Sequence, residues 1–474
     1  MASRLLFSSL SRAKTAAAPR LGFQLTRSLA TPAATASPSR GGGETTILPS
    51  GLTVATESFP GGGGATVGVW IDAGSRAESA ANNGSAHFLE HMAFKGTANR
   101  SREDIEVQIE NMGAHLNAYT SREQTVYYAK AFKSDVPQCV EILSDILQHS
   151  KLDPSAIERE RGVILREQEE VNKVMEEVVF DHLHATAFQG HSLGRTILGS
   201  EHNIRSLQRD DLASYIRSQY AADRMVLVGT GGIEHDALVS LAEKHFAHLP
   251  RSLTPAAHVK PHFSGSDLRV RNDSLPAAHI ALAVEGVGWN HPDYYSLLVL
   301  QSVVGSWDRS LGAAPNVSSR LAAAVHEHNL ANSFMSFNTS YSDTGLWGIY
   351  AVSENKLQLD DLVYNIQKEW SRLSVSVTDA EVLRAKQQLK AALLLQLDGS
   401  TAVAEDLGRQ LVTTGKRIEP AEMERLVDAV STKDVRRVAS NYLWDKDVAV
   451  VGVGPIESLT DYTRLRGAMS WNRF

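Results

Sequence analysis

The sequence predicts an α+β protein built from two duplicated domains, each an antiparallel-dominated sheet with helices packed on one side. Three observations lead to this fold class. The 474 residues are too many for one ordinary hydrophobic core. Strand-like alternation precedes amphipathic helical patterns without the strict strand–helix–strand order of a parallel sheet. A strand-and-turn segment also recurs in the second half of the chain.

The recurring segment is the observation that predicts a duplication. Tyr220 and Tyr442 each end a helical pattern and precede a β-branched strand with a glycine turn, Met-Val-Leu-Val-Gly in the first and Val-Ala-Val-Val-Gly in the second. Residues 65–73 and 278–285 form a second similar pair in the same order. A repeat of this length indicates a duplicated domain rather than a solenoid.

The beginning of the chain has the composition of a mitochondrial transit peptide. No acidic residue precedes Glu44, and serine, alanine and leucine are interspersed with Arg4, Arg12, Lys14, Arg20 and Arg27. A merely disordered basic tail is the alternative. We expect residues 1–43 to form a transit peptide and flexible lead, with cleavage near Ser28 and import into the mitochondrial matrix. Loss of these basic residues would make the mature chain more acidic than the net charge of −7.

Proline and glycine mark the boundary between the two halves. We predict an N-terminal metal-bearing domain over residues 44–250, a linker over residues 251–265 and a C-terminal duplicated domain over residues 266–474. The linker contains Pro255, Pro261 and Gly265 between two patterned regions.

Charge and composition exclude several classes of protein. The net charge of −7 argues against nucleic-acid binding and favours a basic partner or substrate. No apolar run is long enough to predict a transmembrane segment. Cys139 is the only cysteine, so a metal site would need histidine and carboxylate ligands.

The strongest chemical signal is the segment His87-Phe-Leu-Glu90-His91. Positions i and i+4 of a helix point the same way, so the two imidazoles converge at a spacing that suits zinc. Glu90 shares this face and can act as the general base that takes a proton from water. The alternative is a helix that carries two surface histidines and an acid by chance.

A third ligand must come from elsewhere, and a later helical pattern offers two candidates. Asp153 and Pro154 predict the start of a long helix. Glu160 and Glu167 are two turns apart and therefore share a face of that helix. Either one can bind the ion while the other orients a ligand. Spacing alone does not choose between them.

Around these residues the sequence resembles the pitrilysin/insulinase family of zinc metallopeptidases. The resemblance rests on His-Phe-Leu-Glu-His-Met-Ala-Phe-Lys-Gly-Thr, which begins at residue 87, and on Glu-Arg-Glu-Arg-Gly-Val-Ile-Leu-Arg-Glu, which begins at residue 158. It implies one zinc ion (Zn²⁺) bound by His87, His91 and Glu167, with Glu90 as the catalytic base. Glu160 matches the acid that, in this family, contacts a metal ligand without binding the ion itself. The second half lacks His-x-x-Glu-His, which implies a non-catalytic domain.

Within this family the sequence resembles the metal-bearing subunit of enzymes that remove targeting presequences from imported mitochondrial proteins. The match implies that Glu177 and Asp181 receive a substrate arginine, although a solvated acidic face is the alternative. It also implies that Phe94 forms an apolar wall for substrate, where a core position is the alternative. An edge strand for extended substrate is implied at Asn117, Ala118 and Tyr119.

The resemblance also implies partners. The catalytic β subunit of such enzymes pairs with a non-catalytic α subunit, and basic presequence peptides are the substrate. A core subunit of respiratory complex III (ubiquinol–cytochrome c reductase), alone or as a second role, is the alternative and would put the chain at the matrix face of the inner membrane. Relatives place an arginine and a tyrosine over the substrate; Arg320 lies in a similar segment, but Asn332 stands in the tyrosine position, so Arg320 stays unassigned.

Overall fold

The structure is a computed structural model that describes residues 43–59, 63–252, 259–311 and 319–471. The predicted transit peptide therefore lies outside the described residues except for its last position, and so does the middle of the predicted linker. None of the helices in the described part of the chain is both long enough and apolar enough to cross a membrane.

The N-terminal half contains a six-stranded sheet with the order β1-β2-β6-β3-β5-β4. Only β2 and β6 pair in parallel. The elements are β1 (Glu44–Ile47), β2 (Thr53–Ser58), β3 (Gly64–Ile71), α1 (Ser85–Met92), α2 (Arg102–Asn111), β4 (His115–Thr120), β5 (Thr125–Phe132), α3 (Val136–His149), α4 (Pro154–Val171), α5 (Met175–Ala187), α6 (Glu201–Ser206), α7 (Arg209–Gln219), β6 (Met225–Gly231) and α8 (His235–Phe246).

The C-terminal half contains a second six-stranded sheet with the order β7-β12-β8-β11-β10-β9. Only β7 and β12 pair in parallel. The elements are β7 (Asp267–Arg271), β8 (Ala278–Gly286), α9 (Tyr294–Val304), β9 (Ser306–Asp308), α10 (Arg320–Glu327), β10 (Ser333–Ser340), β11 (Gly345–Ser353), α11 (Leu359–Val375), α12 (Asp379–Leu395), α13 (Ser400–Thr414), α14 (Pro420–Ala429), α15 (Thr432–Tyr442), β12 (Ala449–Gly454) and α16 (Tyr462–Trp471).

The two sheets confirm the predicted duplication and the predicted fold class. The order β2-β6-β3-β5-β4 in the first sheet matches β7-β12-β8-β11-β10 in the second, with the parallel pair in the same place. The recurring strand-and-turn segments are β6 and β12, and the second similar pair is β3 and β8. Strand β1 at one edge and strand β9 at the opposite edge are the additions that distinguish the sheets.

Each sheet packs one face against helices of its own half. In the first half, Phe88 of α1 and Ile142 of α3 are fully buried in one cluster with Tyr127 of β5. In the second half, Trp370 of α11 and Trp347 of β11 occupy the equivalent layer. The buried apolar residues of alternating strand positions thus face amphipathic helices, as the sequence pattern predicts.

The opposite face of each sheet is covered by a helix of the other half. Helix α5 packs Val179 and Leu183 against the second sheet, and α13 packs Leu407 and Leu411 against the first. We call α5 and α13 the exchanged helices, because each covers the sheet of the other half. This exchange buries apolar residues of both halves together, and each fully buried leucine stabilises the fold by ~1.5–3 kcal/mol. The two predicted domains therefore share their cores rather than forming separate packing units.

A buried ion cluster also joins the halves where two equivalent hairpin turns meet. Arg76, which follows β3, donates to Glu123 in the β4–β5 turn at 2.6 Å and to Asp343 in the β10–β11 turn at 2.7 Å. The backbone N–H of Ser342 also donates to Glu123, at 3.0 Å. Because Arg76 and Glu123 are both buried, loss of the arginine would leave a buried carboxylate without a counter-charge. The cluster therefore fixes the two halves against each other.

Candidate active site

Helix α1 is fixed at its first turn by a buried carboxylate. The helix begins after Gly84, whose φ of 104° no other residue type adopts without strain. Glu78 accepts hydrogen bonds from the backbone N–H groups of Gly84 at 2.9 Å and Ala86 at 2.7 Å, in place of an N-cap side chain. Burial raises the pKa of Glu78 to about 7. The eight-residue helix that carries the histidines is thus held at one end.

Helix α4 begins at the predicted residues. The side chain of Asp153 accepts hydrogen bonds from the backbone N–H groups of Ser155 and Ala156, and Pro154 is the first helical residue. Buried Arg161 donates from Nη2 to the backbone carbonyl of Leu207 at 3.0 Å and lies 5.9 Å from the ring centre of Phe88 in α1. The first contact joins α4 to the end of α6, and the second packs it against α1, with both candidate glutamates on the side that faces α1.

The structure brings His87, His91 and Glu167 together. One potential ligand atom from each lies within 4.8 Å of the other two, and among the described residues this is the single group of three or more that could hold a metal ion. Nε2 of His91 lies 3.0 Å from Oε2 of Glu167, and Nε2 of His87 lies 3.6 Å from the same oxygen. Two imidazole nitrogens and one carboxylate oxygen are a set that zinc accepts while keeping an open position.

The protonation of His87 and Glu167 suits metal binding. The hydrogen bond with His91 lowers the pKa of Glu167 to about 2, so that carboxylate is charged. Burial lowers the pKa of His87 to about 4, which leaves its ring neutral at physiological pH. Burial is the largest single influence on His91 and opposes its charge, but the hydrogen bonds and negative charges of the surrounding glutamates together outweigh burial and raise the pKa of His91. A charged carboxylate and a neutral imidazole are the forms that bind metals.

Glu160 lies behind His91 rather than beside the other ligands. Its Oε2 is 3.4 Å from Nδ1 of His91, and its Oε1 is 2.7 Å from Nζ of Lys95. A carboxylate in this position orients the imidazole of a metal ligand. Lys95 was not singled out from the sequence, because it lies three residues beyond the end of α1, where the helical spacing no longer applies.

Glu90 is placed on the same helix as the two histidines. The residue is half-buried, and burial raises the pKa of its carboxyl group. It lies near enough to His91 and Glu167 for their charges to act on that pKa. A carboxylate with a raised pKa is a stronger proton acceptor than one in water, which is the property that a general base needs.

The two predicted arginine-binding acids lie on α5, one of the exchanged helices. Glu177 and Asp181 are both half-exposed and one turn apart. Oδ1 of Asp181 accepts a hydrogen bond from Nη2 of Arg122 at 2.6 Å. This contact was not predicted, because Arg122 lies in a distant turn.

Three of the remaining predicted substrate residues lie on the free edge of the first sheet. Strand β4 is an edge strand and carries Asn117, Ala118 and Tyr119. The backbone N–H of Ala118 donates to Oδ1 of Asn117 at 2.9 Å, and the hydroxyl of Tyr119 donates to Glu405 of α13. Phe94 is half-buried and packs against the first core cluster.

The second half has no equivalent metal cluster within its described residues. Helix α9 occupies the place of α1 and is apolar, with Leu297, Val299 and Leu300 fully buried. Arg320 is at the start of α10, where its Nε lies 3.2 Å from Oε1 of Glu381. This ion pair gives Arg320 a structural contact, and its role in catalysis stays unassigned.

Comparison with known proteins supports the predicted family. Residues 53–201 match the sequence model described as Insulinase (Peptidase family M16), and residues 206–389 match the Peptidase M16 inactive domain. The chain is 64% identical over 433 residues to mitochondrial-processing peptidase subunit beta of Lentinula edodes, covering 90% of this chain and 93% of the relative. It is 57% identical to the subunit of that name from Neurospora crassa over the full length of both, and 53% identical to the one from Homo sapiens, covering 90% and 88%.

A solved structure extends the similarity to the fold. A chain in the structure of complex III2 from Candida albicans with Inz-5 bound superposes with a TM-score of 0.81 at 30% sequence identity. The match covers 90% of this chain and 99% of that chain. The family models cover both halves of the duplication, and the relatives are similar throughout. The chain therefore belongs to the insulinase family of peptidases, peptidase family M16.

Proposed function

We propose that this chain is the zinc-dependent catalytic β subunit of a mitochondrial processing peptidase, an endopeptidase that removes N-terminal targeting presequences from imported precursor proteins. The observation that carries the proposal is the convergence of His87, His91 and Glu167 within 4.8 Å, with Glu90 on the same helix. The identity of 53–64% to beta subunits of that peptidase over most of the chain supports the substrate class.

In this mechanism His87, His91 and Glu167 hold one zinc ion, and Glu160 orients the ring of His91. Zinc bound by such ligands supplies Lewis acidity, which acidifies water and polarises a peptide carbonyl. Glu90 accepts a proton from the attacking water on a carboxylate oxygen and returns it to the amine nitrogen of the departing product. The raised pKa of Glu90 suits both transfers.

Substrate recognition uses the edge strand and the acids of α5. An extended presequence pairs with β4 along Asn117, Ala118 and Tyr119. Pairing at Ala118 requires Oδ1 of Asn117 to release the backbone N–H that it accepts in the free protein. Glu177 and Asp181 receive an arginine two residues before the cut, and Phe94 lines the side that accepts the residue after the cut. The acidic net charge of −7 favours basic presequences.

The division of labour in the chain follows the sequence prediction. Residues 44–250 form the catalytic domain, residues 251–265 the linker and residues 266–474 a non-catalytic domain that completes the substrate chamber. Residues 1–43 contain the transit peptide. The mature chain works in the mitochondrial matrix and pairs with the non-catalytic α subunit, as the beta-subunit relatives suggest by their names.

A core subunit of respiratory complex III is the second candidate function. The fold similarity to a chain of complex III2, over 99% of that chain, supports it. The intact set of histidines and glutamates favours catalysis, because a purely structural subunit has no use for it. Mild-detergent purification of the tagged chain separates the candidates. Ubiquinol–cytochrome c reductase activity in the purified fraction indicates the respiratory role, and presequence cleavage without it indicates the peptidase.

The direct test of the proposed function is a cleavage assay with a radiolabelled mitochondrial precursor. The purified mature chain is assayed alone, with the α subunit, and with the α subunit after chelation and after zinc is restored. We expect cleavage only with the α subunit and zinc together. Cleavage that persists in full after chelation would disprove the zinc mechanism, and failure of the zinc-loaded pair on several presequences would disprove the substrate class.

A further inference from the structure

The guanidinium of Arg122 is built into the candidate arginine pocket. Its Nη2 donates to Oδ1 of Asp181 at 2.6 Å, and its Nε donates to the backbone carbonyl of Leu193 at 3.2 Å. The Arg122 side chain is 10% exposed, whereas that of Asp181 is 38% exposed. Arg122 therefore holds one carboxylate oxygen from the protein side and leaves the outer side of the carboxylate open.

The turn that carries Arg122 is itself fixed. The backbone carbonyl of Arg122 accepts from the N–H of Arg76 at 2.7 Å, and that of Ser121 accepts from the N–H of Ser75 at 3.2 Å. The next residue, Glu123, belongs to the buried ion cluster between the halves. A guanidinium on so constrained a turn is pre-organised, so Asp181 gains an orientation that a solvated carboxylate on a helix surface lacks.

The same turn continues directly from the candidate substrate strand. Strand β4 ends at Thr120, two residues before Arg122. The element that pairs with the substrate backbone and the side chain that orients Asp181 are thus parts of one rigid hairpin. A substrate bound along β4 would therefore meet Asp181 at a fixed distance from the cleavage point. A preference for arginine at a single substrate position requires such a fixed distance.

We propose that Arg122 is a positioning residue for the arginine pocket: it orients Asp181 so that the free oxygen, together with Glu177, receives a single substrate guanidinium. This inference rests on the proposed function. The Arg122–Asp181 pair is neutral overall, so Glu177 supplies the net negative charge. One net negative charge and two carboxylates match the charge and forked geometry of one arginine.

The test uses the assembled enzyme, the chain with its α subunit, and two presequence peptides that differ only two residues before the cut, arginine in one and glutamine in the other. The measured quantity is the ratio of their kcat/KM values. Arg122→Met keeps the length and packing of the side chain but removes its donors. We expect it to lower this ratio about tenfold, through KM for the arginine peptide, which corresponds to ~1.4 kcal/mol.

Three further variants separate positioning from a general structural effect. Arg122→Lys keeps a charged donor and should restore part of the ratio. In an Asp181→Asn background, Arg122→Met should change the ratio less than about twofold, because Arg122 acts through Asp181. Arg425→Met removes an exposed arginine paired with Glu422 on α14 and should leave the ratio unchanged.

Each result decides the inference. A wild-type ratio in Arg122→Met disproves positioning by Arg122, and a raised ratio means that Arg122 opposes substrate arginine instead. Equal cleavage of both peptides by the wild-type enzyme disproves the arginine pocket and this inference with it, while the peptidase function stands. Should Arg122→Met fail to fold, Arg122→Lys decides: a lowered ratio supports positioning and an unchanged one disproves it.

Discussion

The two halves of the chain share one topology but differ where the helix after the central hairpin strand meets a later helix, which is α1 with α4 in the first half and α9 with α12 in the second. In the N-terminal half, α1 and α4 bring together His87, His91, Glu160 and Glu167. In the C-terminal half, the equivalent α9 and α12 meet through apolar residues, with one hydrogen bond from the hydroxyl of Ser302 to the carbonyl of Ala385 at 3.0 Å. The difference shows that this helix pair can carry a candidate metal site or an apolar contact without any change in strand order.

The two halves also anchor these helices differently. Glu78 binds the first backbone N–H groups of α1 directly, whereas Asp293 at the start of α9 bonds to Arg437 at 2.7 Å and Tyr442 at 2.9 Å. The first arrangement fixes the end of a short helix whose side chains must converge on one point. The second joins α9 to α15, which serves packing. Catalytic geometry in the first half therefore depends on polar contacts that the second half does not need.

The largest expected effect comes from removing the proposed general base of the first half. Glu90→Gln should lower kcat by about 10²–10⁴-fold, because glutamine cannot accept the proton of water. Zinc content, measured by atomic absorption, should not change. Ser302→Ala, in the equivalent helix of the second half, should leave kcat at the wild-type value. Full activity of Glu90→Gln would exclude Glu90 as the base.

Zinc should stabilise the chain through the first half alone. At free zinc about 1,000-fold above Kd, the free energy of unfolding should rise by about 4 kcal/mol. His91→Asn should abolish this gain, whereas His328→Asn, which removes an exposed histidine of the second half, should preserve it. Thermal unfolding with and without zinc measures the effect. A gain of equal size in His91→Asn would mean that the ion binds elsewhere.

The sequence predicted the parts of this comparison that depend on local spacing. His87 and His91 are one helical turn apart, and residues 65–73 repeat at 278–285, so the helix that carries both histidines and the duplication could both be predicted. The choice of Glu167 over Glu160 needed the family resemblance. Lys95 and Arg122 were missed because their partners come from other elements of the fold.

The exchange of helices was also beyond prediction from sequence. An amphipathic pattern in α5 or α13 shows that the helix has an apolar face, but not which sheet that face covers. The sequence therefore supported two domains with helices on one side. The described structure adds a helix from the other half on the second side of each sheet.

The two exchanged helices offer a matched test of packing. Leu183 of α5 and Leu407 of α13 are both fully buried, each against the sheet of the other half. Each substitution by alanine should lower the free energy of unfolding by about 2–5 kcal/mol. Only Leu183→Ala should also weaken the arginine preference, because α5 carries Glu177 and Asp181. Denaturant unfolding measures the loss of stability. A loss near zero for either variant would contradict the packing of these helices against the sheet of the other half.

The contacts of these two helices should respond to acid in opposite directions. His184 of α5 is buried, and its Nδ1 donates to the carbonyl of Phe180 at 2.7 Å, which leaves Nε2 to accept from the hydroxyl of Tyr341 at 2.6 Å. Burial lowers the pKa of His184 from 6.5 to about 3. In α13, by contrast, burial raises the pKa of Glu405, which accepts from Tyr119.

The direction of each pKa shift determines how acid changes the stability of the helix contact, which is the smallest of the predicted effects. The unfolded chain binds a proton at His184 below pH 6.5 and the folded chain does not, so acid weakens the α5 contact, by about 2 kcal/mol at pH 5. Glu405 is more readily protonated in the folded chain than in the unfolded one, so its contribution to stability falls as pH rises, not as it drops. When the pH is lowered from 7 to 5, hydrogen exchange should therefore show that the backbone amides of α5 lose protection before those of α13. His184→Gln, which can form the same two hydrogen bonds without titrating, should remove this difference between the helices. A parallel loss of protection in both helices of the wild-type protein would show that His184 does not control the response to acid.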